Sequence, residues 1–76
     1  MVKLSDVKSN STIIVKGIGR GDYKFTLYNM GLYPGSTARV VYSDGISVMV
    51  LEVKDSLVVL SLSLADYVDV DVVEGG

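Results

Sequence analysis

The chain has no cysteine, no histidine and no tryptophan, and a single proline, Pro34, in 76 residues. Without cysteine there is no disulfide framework and no thiolate metal site. Without histidine the commonest general base and the commonest nitrogen ligand for a metal are both missing. Basic residues are scarce as well: seven Lys and Arg stand against nine Asp and Glu, for a net charge of −2. A phosphate-binding surface usually shows as a basic excess, so no nucleic acid partner is expected. Long apolar runs are also absent. The longest are of the kind Val48-Met49-Val50-Leu51, far short of a membrane span, and no direct membrane insertion is expected. No charged, apolar and small-residue succession marks a signal peptide, and the expected location is cytoplasmic. From what remains no nucleophile and base can be paired, so no catalytic residues and no enzymatic activity are expected.

What is present is apolar. Hydrophobic residues make up 49% and charged residues 21%, the composition of a globular rather than a disordered chain. The length suits one domain over residues 1–76, with a core of about 2–72. A domain of this size buries only about 60% of its unfolded surface. So large an apolar share therefore leaves some of it facing outward or into a partner.

Along the chain, Leu4 and Val7 in "KLSDVKSN" predict a turn that tucks two side chains under the domain. "STIIVKGI" reads as a strand, rich in β-branched residues, and "GIGRGD" as a loop whose glycines serve turns. "DYKFTLYNMG" is the one convincing helix, with Asp22 as its cap and Tyr23, Leu27 and Met30 on one face. Gly31 is placed to end it in the left-handed conformation, with Leu32 folding back, and Tyr33-Pro34-Gly35-Ser36 suits a type II turn. "STARVVYS", "ISVMVLEV", "SLVVLSL" and "YVDVDVV" follow as strands, with "SLAD" as a single redirecting turn. The short separators imply antiparallel hairpins. The count is five short antiparallel strands and one short helix, which suggests a mostly β fold closed into a small barrel. The strands at 46–53 and 57–62 are apolar on both faces. Their outer faces are either covered by the helix and the amino-terminal turn or offered to another molecule.

The order of these elements resembles the FeoA family, the small ferrous iron transport proteins, over roughly Val2 to Val72. The opening "KLSDVKSN", the strand "IIVKGI", the helix stop and turn "NMGLYPGS" and the tail "LVVLSLSLADYVDV" carry the resemblance. Met30-Gly31-Leu32 followed by Pro34-Gly35 is its most specific part. The resemblance implies an SH3-like β-barrel without enzymatic activity. It also implies an accessory or regulatory role, exerted on the cytoplasmic GTPase region of a ferrous iron permease. The same barrel occurs as the carboxy-terminal module of metal-dependent repressors, so a transition-metal-responsive regulatory module is the alternative. Phe25 and Thr26 stand where the family usually has arginines, and Asp55 where it prefers glycine.

The candidate partner-binding residues are Tyr28, Leu32 and Tyr33, with Gly31, Pro34 and Gly35 as the structural turn that holds them. Leu32 also reads as the hydrophobic clasp of the helix end. Self-association is the fallback when the partner is absent. Asp66, Asp69, Asp71 and Glu74 form an acidic end that reads as a solvated face, since no nitrogen or sulfur ligand is nearby. No metal site and no cofactor are expected; weak binding of Fe²⁺ or Zn²⁺ is the most such carboxylates would support.

Overall fold

The computed structural model describes every residue from Met1 to Gly76. Six strands form one antiparallel sheet: β1 (Val2–Lys3), β2 (Thr12–Ile18), β3 (Thr37–Ser43), β4 (Val48–Val53), β5 (Ser56–Ser61) and β6 (Val68–Glu74), in the spatial order β1-β6-β2-β3-β4-β5. Two short helices interrupt it, α1 (Lys24–Asn29) and the single turn α2 (Leu62–Ala65). The fold is the expected mostly β, SH3-like one, with two differences. There is a sixth strand, and the sheet is not closed.

The extra strand is β1. Val2 pairs with Val70 and Lys3 with Asp69. Two residues are too few to show an alternating pattern, and this strand exists only because β6 runs alongside it. The edges, β1 and β5, do not bond to one another. Between them a 3₁₀ turn, Leu4–Asp6, packs against α2. There Ser5 Oγ donates to Asp66 Oδ1 at 3.0 Å and Lys3 Nζ donates to the Asp66 carbonyl at 3.1 Å. Side chains and a helical turn thus do what a final strand pairing would do in a closed barrel.

Strand alternation selects the core. Ile13 and Val15 of β2, Ala38 and Val40 of β3, Met49, Leu51 and Val53 of β4, Leu60 of β5, and Val68 and Val70 of β6 all point inward and are buried. Leu4, Val7, Leu27, Leu32 and Ala65 complete one apolar cluster from the connections. In β4, Met49, Leu51 and Val53 are buried, while Val48 and Val50 on the other face are only partly so. The outer face of β5, however, is left uncovered: Leu57 is 67% and Val59 64% exposed. The strand predicted to begin at Ile46 begins at Val48 instead, and Ile46 stands exposed in the β3–β4 loop. That loop is organised by Asp44, whose carboxylate accepts from the amides of Ile46, Ser47 and Val48.

Candidate functional site

The segment from Tyr23 to Ser36 is built as its residues dictate, except at its start. Asp22 does not cap α1: no side-chain bond is made there, and a 3₁₀ turn, Gly21–Tyr23, leads into the helix. Its carboxylate is taken instead by the Arg20 guanidinium, at 3.0 Å to Nε and 2.6 Å to Nη2. Those hydrogen bonds hold the Asp22 carboxyl below its ordinary range and push Arg20 up. The guanidinium also lies over the rings of Tyr23 and Tyr67, 5.0 and 5.5 Å from their centroids. Those two rings pack at 5.3 Å, so the clamp ties the helix entrance to the segment just before β6.

The helix end follows the Schellman pattern. Gly31, at φ +87°, donates its amide to the Tyr28 carbonyl at 2.9 Å, and the Leu32 amide reaches back to the Leu27 carbonyl at 2.9 Å. Leu27 and Leu32 are both fully buried. A Cβ on Gly31 would meet Val53 Cγ1 at 2.7 Å, so the position demands glycine for space as well as for φ.

The type II turn follows at once. Ser36 donates its amide to the Tyr33 carbonyl at 2.9 Å across Pro34-Gly35, with Gly35 at φ +95°. The Ser36 hydroxyl adds a bond to the same carbonyl at 2.8 Å. Amide bonds of Gly35 to the Val15 carbonyl and of Val15 to the Ser36 carbonyl, both 2.8 Å, fasten the turn to β2.

Of the three residues singled out for binding, two share a surface. Tyr28 is 48% exposed, Tyr33 is half-buried, and their rings pack with centroids 5.9 Å apart. Leu32 is corrected: it has no exposed surface and serves as the clasp, because the Schellman geometry turns the residue after the glycine back onto the helix. Gly31, Pro34 and Gly35 hold the backbone, as their turn chemistry requires. Phe25, not singled out for binding in the sequence, is 80% exposed. Its position three residues before Tyr28 on α1 places both on one helix face. That spacing was the available signal. Tyr28 and Tyr33 thus pack as a partly exposed aromatic pair, with exposed Phe25 on the same face of α1 as Tyr28. Such a surface suits an apolar partner.

The acidic end is dispersed. Asp71 lies 3.5 Å from the amino terminus and 3.9 Å from Lys16 Nζ, Asp66 accepts from Ser5, and no three His, Cys, Asp or Glu side chains converge.

A family model described as the FeoA domain matches residues 2–72. No curated protein matches the chain by sequence. Among solved structures, the chain is similar to a crystal structure of the iron uptake regulatory protein FeoA. The two share 28% identity and a TM-score of 0.89, over 95% of this chain and 96% of that one. It is similar in fold to an FeoA-like protein from Clostridium acetobutylicum, at 20% identity and a TM-score of 0.86, over 99% of this chain and 90% of that one. It also resembles part of ScaR with bound Cd²⁺, at 25% identity and a TM-score of 0.80, over 93% of this chain and 35% of that one.

Proposed function

Because the chain belongs to the FeoA domain family, we propose that it is a non-catalytic accessory of ferrous iron uptake. In this reading it acts at the cytoplasmic face by docking onto the GTPase region of a ferrous iron permease. The observation that carries the docking reading is the pairing of Tyr28 and Tyr33 at 5.9 Å beside exposed Phe25. Gly31 and the Pro34-Gly35 turn restrict the backbone under these rings, which lowers the ordering cost of binding. Aromatic side chains bury a large area for few rotatable bonds, and tyrosine keeps a hydroxyl for the wet rim.

The test is a titration of the permease's soluble GTPase domain with the purified chain. Truncating an interface aromatic commonly costs about 1 kcal/mol or more. The Tyr28→Ala, Tyr33→Ala double variant, shown folded by circular dichroism, should bind several-fold more weakly than the parent. A folded double variant that binds equally well would place docking elsewhere.

The likeness to ScaR supports a second reading, a metal-responsive module. Calorimetry separates the two. Docking alone predicts no stoichiometric, sub-micromolar isotherm with Fe²⁺ or Zn²⁺, since the carboxylates do not converge.

A further inference from the structure

We propose that the chain forms a symmetric dimer through strand β5, with Val59 of each copy opposite Val59 of the other. The occupant of this edge follows from four features of the strand.

The first is the direction of its unpaired backbone groups. The Leu62 amide donates to the Ser47 carbonyl at 2.9 Å, one step beyond the Val48–Ser61 pair. In an antiparallel ladder successive residues turn their amide and carbonyl to opposite sides. Leu60 and Val58 therefore bond to β4, and Leu57 and Val59 turn theirs to the open edge, as does the Ser61 amide; the Ser61 carbonyl, at the N-cap of α2, takes the first bond of that helix.

The second is the absence of protection. Edge strands are ordinarily guarded by charge, proline or a bulge. The segment "SLVVLS" has no charge and no proline, and β4–β5 pairing runs without a register shift, unlike β2–β6 and β3–β4. The other edge, β1, is two residues long and carries Lys3.

The third is self-complementarity. Opposed residues in antiparallel strands share a face, so outward residues must meet outward residues. Centring the pairing on Val59 sets Val59 against itself and Leu57 against Ser61 in both directions. The outward amide and carbonyl of Val59, and the Ser61 amide with the Leu57 carbonyl, are then paired, giving about four hydrogen bonds. Centring it on Val58 would leave Ser61 facing Asp55, beyond the strand. The Val59 register also completes an apolar row. Tyr42 is opposite Val50 and Val50 opposite Val59, so the row runs Tyr42, Val50, Val59 and continues through the same three residues of the second copy. Val59 is 64% exposed in the single chain and gains cover there.

The fourth is area. A six-residue strand is about 20 Å long, and pairing it buries no more than the lower range of specific interfaces, about 1,200 Å². The dimer is accordingly weak and concentration-dependent. The strand carries no charge, and the net −2 of each copy acts only through screened, long-range repulsion.

The experiment uses the purified full chain. Sedimentation over a concentration series should show a reversible monomer–dimer equilibrium, and Val59→Lys should weaken it by roughly tenfold or more, a change of about 1.4 kcal/mol. The chain has no native cysteine, so Val59→Cys and Leu57→Cys each introduce one thiol at nearly equal exposure. Hydrogen-bonded cross-strand pairs lie about 5.5 Å apart at Cα, within disulfide range. Under mild oxidation Val59→Cys should cross-link rapidly and Leu57→Cys slowly, because Leu57 faces Ser61. A parent that remains monomeric at the highest concentration, a dimer indifferent to Val59→Lys, or equal cross-linking of the two thiols would each overturn the proposal. So would a dimer lost in the Tyr28→Ala, Tyr33→Ala variant, since that surface belongs to α1 and not to β5.

Discussion

Gly31 carries two constraints at one Cα, a left-handed backbone and the side chain of Val53 where a Cβ would go. The left-handed conformation costs an L-residue about 1–2 kcal/mol, and overpacking a filled core typically costs about 1–3 kcal/mol. Gly31→Ala should therefore destabilise the chain by about 2–5 kcal/mol in urea unfolding, a large part of the stability of so small a domain. Val53→Ala removes the clash but not the strain. The two substitutions together should cost less than their sum by about 1 kcal/mol; strict additivity would show that Val53 is not what excludes a side chain. Lys54 is the contrasting case. It holds φ +57° in the two-residue β4–β5 turn without being glycine, at the position before the Asp55 where the family prefers glycine. Lys54→Gly should relieve strain of about 1–2 kcal/mol, offset by about 1 kcal/mol of added freedom in the unfolded chain. A small rise in thermal midpoint is expected, and a fall would contradict the strain.

Among elements, the end of α1 separates scaffold from surface. Leu32→Ala should cost about 2–5 kcal/mol, the range for truncating a fully buried leucine, and should affect docking only through loss of fold. Tyr28→Ala should do the reverse, and equal destabilisation by both would refute the division. The β3–β4 loop makes a different prediction. The amides of Ile46, Ser47 and Val48 hold the Asp44 carboxyl far below its ordinary value. A depressed folded pKa means that the stabilisation is fully present above the unfolded value, about 3.9. It is then lost progressively as pH falls from there through the lower folded value. In a titration followed by amide shifts, Ile46, Ser47 and Val48 should hold their positions through the ordinary carboxylate range and move only below it. Movement centred near pH 4 would mean that the loop is not capped this way.

At the scale of the whole molecule, charge does little. The net charge is −2, and the exposed aromatic surface presents Phe25 and Thr26 where the family usually carries arginine. Electrostatic steering mainly raises association rates and gives them a steep dependence on salt. Docking through Phe25, Tyr28 and Tyr33 should instead change affinity by less than about threefold between about 50 and 500 mM salt, a range that shortens the Debye length several-fold. A steep loss of affinity with salt would move the interface to charged residues.

Local chemistry in the sequence determined the elements. β-branched runs with period two became strands, "NMGLYPGS" became a helix stop and a type II turn with both glycines at positive φ, and the missing histidine and cysteine removed the usual ligands. These outcomes depend on residues within a few positions of one another, so the linear order contains them. Other features were decided by residues distant in the chain. Val53, 22 positions beyond Gly31, shuts out a Cβ there, and β6 makes a strand of Val2–Lys3. The turn at Leu4–Asp6 with α2 stands where a closing strand pair would be. Which of two apolar faces of β5 remains open was likewise beyond periodicity: a strand apolar on both sides carries no mark of its inner face, and only the packing of Leu60 into the core turned Leu57 and Val59 outward.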